Sequence, residues 1–156
     1  MRIALGADHA GFELKEKLKK FLDGKGWSVA DVGTHSTDSV DYPDYAHKVG
    51  ERIAQQKSDL GILVCGSGIG MSIAANKVPG IRAAHVSSVT EAQLSREHNN
   101  ANVLAIGARF LDEKQATEIV TRWLATPFAG GRHEKRVEKI SKIEREQAKP
   151  ARASHG

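Results

Sequence analysis

A chain of 156 residues can bury a core without metal or disulfide support, and its single cysteine excludes an internal disulfide. No apolar run approaches the ~20 residues of a membrane span, and the start Met1-Arg2-Ile3-Ala4-Leu5 has no signal-peptide pattern, so a cytoplasmic protein without membrane partners is expected. The formal charge of +4 is local: residues 132–156 hold eight of the 23 Lys/Arg but only four of the 19 Asp/Glu, which leaves the rest neutral. With two Trp, two Tyr and four Phe available for base stacking, nucleic-acid binding is not expected.

In chain order, short apolar runs alternate with amphipathic ones. "RIALGA" (2–7) reads as a first strand, and "GFELKEKLKKFLDGKG" (11–26) as a helix whose Leu14, Leu18, Phe21 and Leu22 form one apolar stripe before Gly24 and Gly26 end it. "WSVADVG" (27–33) and "PDYAHKVGERIAQQ" (43–56) repeat the pair, as do "LGILVC" (60–65) and "GMSIAANKV" (70–78). "IRAAHV" (81–86) precedes "SVTEAQLSREHNN" (88–100), and "NVLAIGA" (102–108) precedes "DEKQATEIVTRWLATP" (112–127). Asp112 and Gln115 have capping-box spacing, and Ala116, Ile119, Val120, Trp123 and Leu124 make the stripe of that helix.

Five strands each followed by a helix predict an α/β fold, a parallel sheet covered on both faces. The uniformly apolar "ILVC" and "VLAIG" suit its buried centre. "GGRHEKRVEKISKIEREQ" (130–147) reads as a last helix with Arg132, Arg136, Ile140 and Ile143 along one side. Residues 1–146 are expected to form one domain, and 147–156 a disordered tail.

Ligands of open parallel sheets bind outside the carboxyl ends of the strands. Three polar clusters are expected to meet there: Asp8-His9 after the first strand, Cys65-Gly66-Ser67-Gly68-Ile69-Gly70 after the third, and His98-Asn99-Asn100 before the fifth. The glycines bring bare N–H groups to a ligand, and the following helix adds its positive end, which together make an anion hole. The spacing fits neither the dinucleotide fingerprint, since residue 71 is Met, nor a P-loop, which needs Lys-Ser/Thr.

Cys65 is then a nucleophile, a base or buried filler. Asp8 could equally be a helix N-cap, and His98-Asn99-Asn100 a helix C-terminus. Arg132 and Arg136, four apart, suit a phosphate or a solvated basic face.

Five ordered motifs, "GADHAG" (6–11), "DYPDYA" (41–46), "CGSGIGMSIAANKVPGIRAA" (65–84), "LSREHNNANVLAIGAR" (94–109) and "GGRHEKRVEKI" (130–140), make the chain resemble the ribose-5-phosphate isomerase type B family from residue 2 to about 146. The resemblance implies a Rossmann-like α/β/α sandwich with a five-stranded parallel sheet, a homodimer or dimer of dimers with sites at the subunit interface, and no metal or organic cofactor. It implies interconversion of D-ribose 5-phosphate and D-ribulose 5-phosphate, with Cys65 moving the proton through a cis-enediolate and His98 opening the furanose ring. By the same similarity Gly66, Ser67, Gly68, Ile69, Gly70 and Asn99 face the developing oxyanion, Asp8 holds sugar oxygens, and His9, Arg109, Arg132 and Arg136 hold the phosphate. Ser67 stands where many members have Thr, which keeps the hydroxyl and leaves extra room. An isomerase of allose 6-phosphate or galactose 6-phosphate is therefore the alternative, ahead of a non-catalytic phosphosugar sensor.

Overall fold

The computed structural model describes residues 1–148 as five strands and six helices. Strands β1 (Arg2–Ala7), β2 (Ser28–Gly33), β3 (Leu60–Cys65), β4 (Ala83–His85) and β5 (Val103–Gly107) form one parallel sheet in the order β2-β1-β3-β5-β4. Helices α1 (Phe12–Gly24), α2 (Tyr42–Ala54), α3 (Ile69–Ala75), α4 (Val89–Glu97) and α5 (Glu113–Ala125) follow the strands in turn, and α6 (Arg132–Ala148) closes the described chain. The predicted elements are all present; the fourth strand is shorter than its apolar run because only three residues pair with β5. Of the expected tail, Gln147 and Ala148 extend α6, and 149–156 lie outside the described residues.

Period-2 alternation divides the sheet residues between two cores. Ile3, Leu5, Ile62, Val64, Leu104 and Ile106 pack with the buried stripes of α1 and α5, Trp123 among them, and with Ala92 of α4. Ala4, Leu63, Cys65, Val103 and Ala105 pack on the other face with Ala46 and Val49 of α2 and Met71 and Ala75 of α3. The three-layer α/β/α sandwich follows, because right-handed crossovers that run in opposite directions along the sheet, β1 to β2 and β2 to β3, lay helices on opposite faces. The capping box is present: the Gln115 N–H donates to Asp112 Oδ1 at 2.8 Å, and the Asp112 N–H to Gln115 Oε1 at 3.0 Å.

Both borders of the sheet carry polar devices. On the α1 side of β2, Asp31 Oδ2 lies 2.6 Å from the ammonium of fully buried Lys15 and 3.3 Å from that of Lys19, while its Oδ1 accepts the Gly33 N–H at 2.9 Å. At β4, the Asn76 side chain takes both main-chain groups of Ala83, accepting its N–H at 2.8 Å and donating to its carbonyl at 2.9 Å.

α6 buries only His133 within its own chain. Ile140 and Ile143 remain 44% and 60% exposed beside an open groove of about 610 Å³ that Arg82, Asn99 and Glu144 also line.

Candidate active site at the carboxyl edge of the sheet

The strand order reverses direction between β1 and β3, the switch point outside which ligands of open α/β sheets bind. Asp8 follows β1, and its buried carboxylate accepts the Gly11 N–H at 3.0 Å. Gly11, not Asp8, is the N-cap of α1, so the plain capping role does not account for Asp8. A Cβ on Gly11 would stand 2.2 Å from the Val64 carbonyl oxygen, so this turn can lie against the end of β3 only with glycine. His9 is half-buried and accepts the Val40 N–H at Nδ1, 3.1 Å away. In the neutral imidazole this leaves the proton on Nε2, a donor.

Cys65 ends β3 and is buried, with its sulfur accepting the Gly68 N–H at 3.1 Å. Gly68 has φ +83°, a left-handed conformation that turns the chain back so this N–H meets the side chain three residues earlier. Ser67 Oγ accepts the Ile69 N–H at 3.2 Å. Ile69 begins α3, and the first turn of a helix leaves N–H groups without intrahelical partners. Arg109 packs on this loop so closely that a Cβ on Gly66 would lie 3.0 Å from its guanidinium carbon. Two groups that sequence reasoning did not single out join the cluster. The Tyr42 ring covers Gly70, where a Cβ would lie 2.5 Å from it, and the His85 ring covers Gly68. No local pattern reveals either contact, because both cross between separate elements.

His98, Asn99, Arg132 and Arg136 are elsewhere, which corrects the expectation that all three clusters meet at one edge. A helix that follows β4 returns to the amino edge before β5 begins, so His98, the C-cap of α4, sits at the opposite end of the sheet. The bonds there are those of strand starts: the Asn102 carbonyl accepts the Gly61 N–H at 2.9 Å, and the Asn100 carbonyl accepts from Arg82 Nε at 2.9 Å. Six-residue β3 separates the two edges by about 17 Å.

At the amino edge His98 stacks on His133, with ring centroids 4.2 Å apart and planes 14° apart. Burial holds His133 below its ordinary value of 6.5, helped by the charges of His98, Arg132 and Arg136 and opposed by Glu97. Its ring is therefore neutral at neutral pH. Exposed Arg132 and Arg136 stand on α6 flanking it, and exposed Asn99 follows His98. Asn100, at φ +47°, turns the chain away from α4, as the helix-end reading of these residues requires.

Each chain thus carries two separate clusters of polar side chains. One offers a thiol, a carboxylate and an anion-binding loop; the other offers stacked imidazoles and a pair of guanidinium groups. Among the described residues no three His, Cys, Asp or Glu side chains are grouped to hold a metal, and no helix is long and apolar enough to cross a membrane.

The Escherichia coli protein named ribose-5-phosphate isomerase B is 49% identical over 143 residues, covering 92% of this chain and 96% of that one. The solved ribose-5-phosphate isomerase B of Clostridium thermocellum superposes with a TM-score of 0.94 at 49% identity, covering 95% of this chain and all of that one. The Mycoplasma genitalium ribose-5-phosphate isomerase B, solved with bound ribulose 5-phosphate, superposes with a TM-score of 0.90 at 41% identity over 93% of this chain and 97% of that one. The family model for Ribose/Galactose Isomerase matches residues 3–140, a span that holds Asp8, the Cys65 loop, His98, Arg132 and Arg136. By sequence and by fold alike, the chain belongs to the ribose/galactose isomerase family.

Proposed function

We propose that this protein interconverts D-ribose 5-phosphate and D-ribulose 5-phosphate as a cytoplasmic enzyme, and that Cys65 is its base. The observation that carries this reading is the Cys65 sulfur held by the Gly68 N–H at the carboxyl edge, beside Asp8 and the loop Gly66–Gly70. An aldose-ketose isomerisation moves one proton from C2 to C1 while negative charge builds on oxygen. The Cys65 thiolate takes that proton from C2 and returns it to C1, and the loop N–H groups with Ser67 and Asn99 stabilise the enediolate. Such donors are typically worth about 3–4 kcal/mol each to a transition state.

His98 serves ring opening, taking the C1 hydroxyl proton and supplying one to the ring oxygen, with Asp8 orienting the sugar. His9, Arg109, Arg132 and Arg136 hold the phosphate away from the reacting carbons, so that its binding energy fixes their position. Ser67 leaves more room than threonine, so allose 6-phosphate belongs in the same assay. The reaction needs no metal, and turnover of ribose 5-phosphate in EDTA is the direct test; no turnover of either sugar sinks the reading.

The distance across the sheet makes a second copy necessary. A thiol at one edge and an imidazole about 17 Å away cannot act on one pentose within one chain. A two-fold pair of chains can join the carboxyl edge of one to the amino edge of the other, twice. The exposed Ile69 and Ile73 on α3 and Ile140 and Ile143 on α6 supply an apolar surface for it. The expected result is complementation. Cys65→Ala and His98→Asn proteins, each inactive alone, regain about one quarter of wild-type activity after mixed refolding, because half the dimers are mixed and each of those has one intact site. No recovery would mean that each chain acts alone.

Arg132→Ala and Arg136→Ala each raise KM about tenfold or more, with a smaller effect on kcat, since each removes a charge-assisted contact to the phosphate. Initial rates over a range of ribose 5-phosphate concentrations check this. An unchanged KM puts the phosphate elsewhere.

A further inference from the structure

His85 ends β4 on the carboxyl edge, where it is exposed and the proposed chemistry gives it no role. Its Nε2 lies 2.8 Å from the carbonyl oxygen of Ser67. A carbonyl can only accept, so Nε2 carries the proton and donates. The same ring lies on Gly68, where a Cβ would stand 2.8 Å from its Cδ2. Ser67 and Gly68 share one peptide unit, and the N–H of that unit is the donor to Cys65 Sγ at 3.1 Å. The run is therefore imidazole N–H to peptide oxygen, and peptide N–H to sulfur, through a single conjugated plane.

Two consequences follow from that plane. A donor on the oxygen draws electron density from the nitrogen, which strengthens the N–H as a donor by roughly 10–30%. The plane is also anchored at both ends, so the N–H stays aimed at the sulfur although Gly68 itself, at φ +83°, imposes little. The charged and titratable groups around this run are Asp8 at the end of β1, Tyr42 over Gly70 from α2, Arg109 over Gly66 from the turn after β5, and Glu91 of α4. The Glu91 carboxylate is held below its ordinary range first by the Ser87 N–H and hydroxyl, with the nearby His85 adding to it.

We propose that His85 is a positioning residue for Cys65, fixing and polarising the Ser67–Gly68 peptide so that its N–H favours the thiolate. The proposal rests on the reading of Cys65 as the base, and it adds a group outside the reacting atoms that sets how much of that base is available.

The test uses the full-length protein and three forms at position 85: wild type, His85→Phe, which keeps a ring on Gly68 but no donor, and His85→Gln, which restores an N–H. Cys65 is the only cysteine, so the thiolate absorbance near 240 nm at pH 8, referenced to Cys65→Ser, reports on it alone. The expected result is a thiolate signal about two- to fivefold lower in His85→Phe and recovered in His85→Gln, with kcat following it and KM unchanged. An equal signal in wild type and His85→Phe overturns the proposal, and so does a loss that glutamine fails to restore, which would assign the effect to ring packing. His85 is exposed, so all three forms are expected to fold, and matching melting curves check this. Absence of isomerase turnover in wild type would defeat the proposed reaction and leave the thiolate comparison still decisive for His85.

Discussion

Replacing Cys65 with alanine lowers kcat on ribose 5-phosphate by about 10³-fold and leaves KM within about threefold, as loss of a general base should. The side chain is 4% exposed and packs among Ala105, Met71 and Ala75 on the α2–α3 face. Removing one sulfur atom there costs about 1 kcal/mol in lost packing, too little to unfold the chain. The Gly68 N–H, which donates to the sulfur in the wild type, remains at the carboxyl edge and can turn to water or to substrate. The loop and the arginines are untouched, so substrate still binds but C2 has no base within reach. Solvent deuterium gives an independent readout: wild type incorporates it at C1 of the ketose, and Cys65→Ala does not. Retention of a tenth or more of wild-type turnover would assign the base to another group.

Asp31→Ala destabilises the fold by about 3 kcal/mol and lowers Tm by about 10 °C. Lys15 is fully buried, and the substitution leaves its ammonium with only the half-exposed Glu16 carboxylate, 2.8 Å away. It also frees the Gly33 N–H and the Lys19 side chain. The double variant Lys15→Met/Asp31→Leu recovers most of the loss, because a buried pair replaced by well-packed apolar groups is often neutral.

The pH dependence has a definite sign. Burial pushes the Asp31 carboxyl up, but hydrogen bonds from Lys15, the Gly33 N–H and Lys19, with the charge of Lys15, bring it net below its ordinary 3.8. A carboxyl lowered by folding stabilises the protein above its unfolded value, and this contribution is lost as pH falls through 3.8 toward the folded one. Urea unfolding from pH 6 down to pH 3 therefore converges for wild type and Asp31→Ala. A gap that stays constant across that range would separate the stability effect from the charge.

Periodicity made the strands and the helices legible, because buried parallel strands such as "VLAIG" and stripes such as Ala116-Ile119-Val120-Trp123 bury what their patterns say. Asp8 and the Cys65 loop were legible as neighbours on one edge because chain order alone puts them at strand ends. His98 was misplaced because it was read by its neighbour β5 and not by the direction of the helix before it. Lys15 was hidden, since a cation beside Leu14 and Leu18 looks like the polar margin of a stripe and its partner lies sixteen residues away on another element. The same holds for His133, Tyr42 and His85, whose contacts are made only after the layers have packed. The Lys/Arg excess after residue 132 was visible as composition, but its phosphate reading depends on where α6 starts relative to His98.

The two borders of the sheet bear on how copies of the chain meet. An open edge offers free N–H and C=O groups to any extended strand, and pairing through it would add copies without limit. β4 is three residues long, and Asn76 occupies the main-chain groups of Ala83 that a visiting strand would use. On β2, an added strand would have to continue the sheet past a carboxylate that two lysines of α1 clasp on its covered face. Fibre growth is thereby obstructed at both ends of the sheet, which leaves the exposed isoleucines of α3 and α6 to the proposed two-fold pair, a contact that would close on itself and stop.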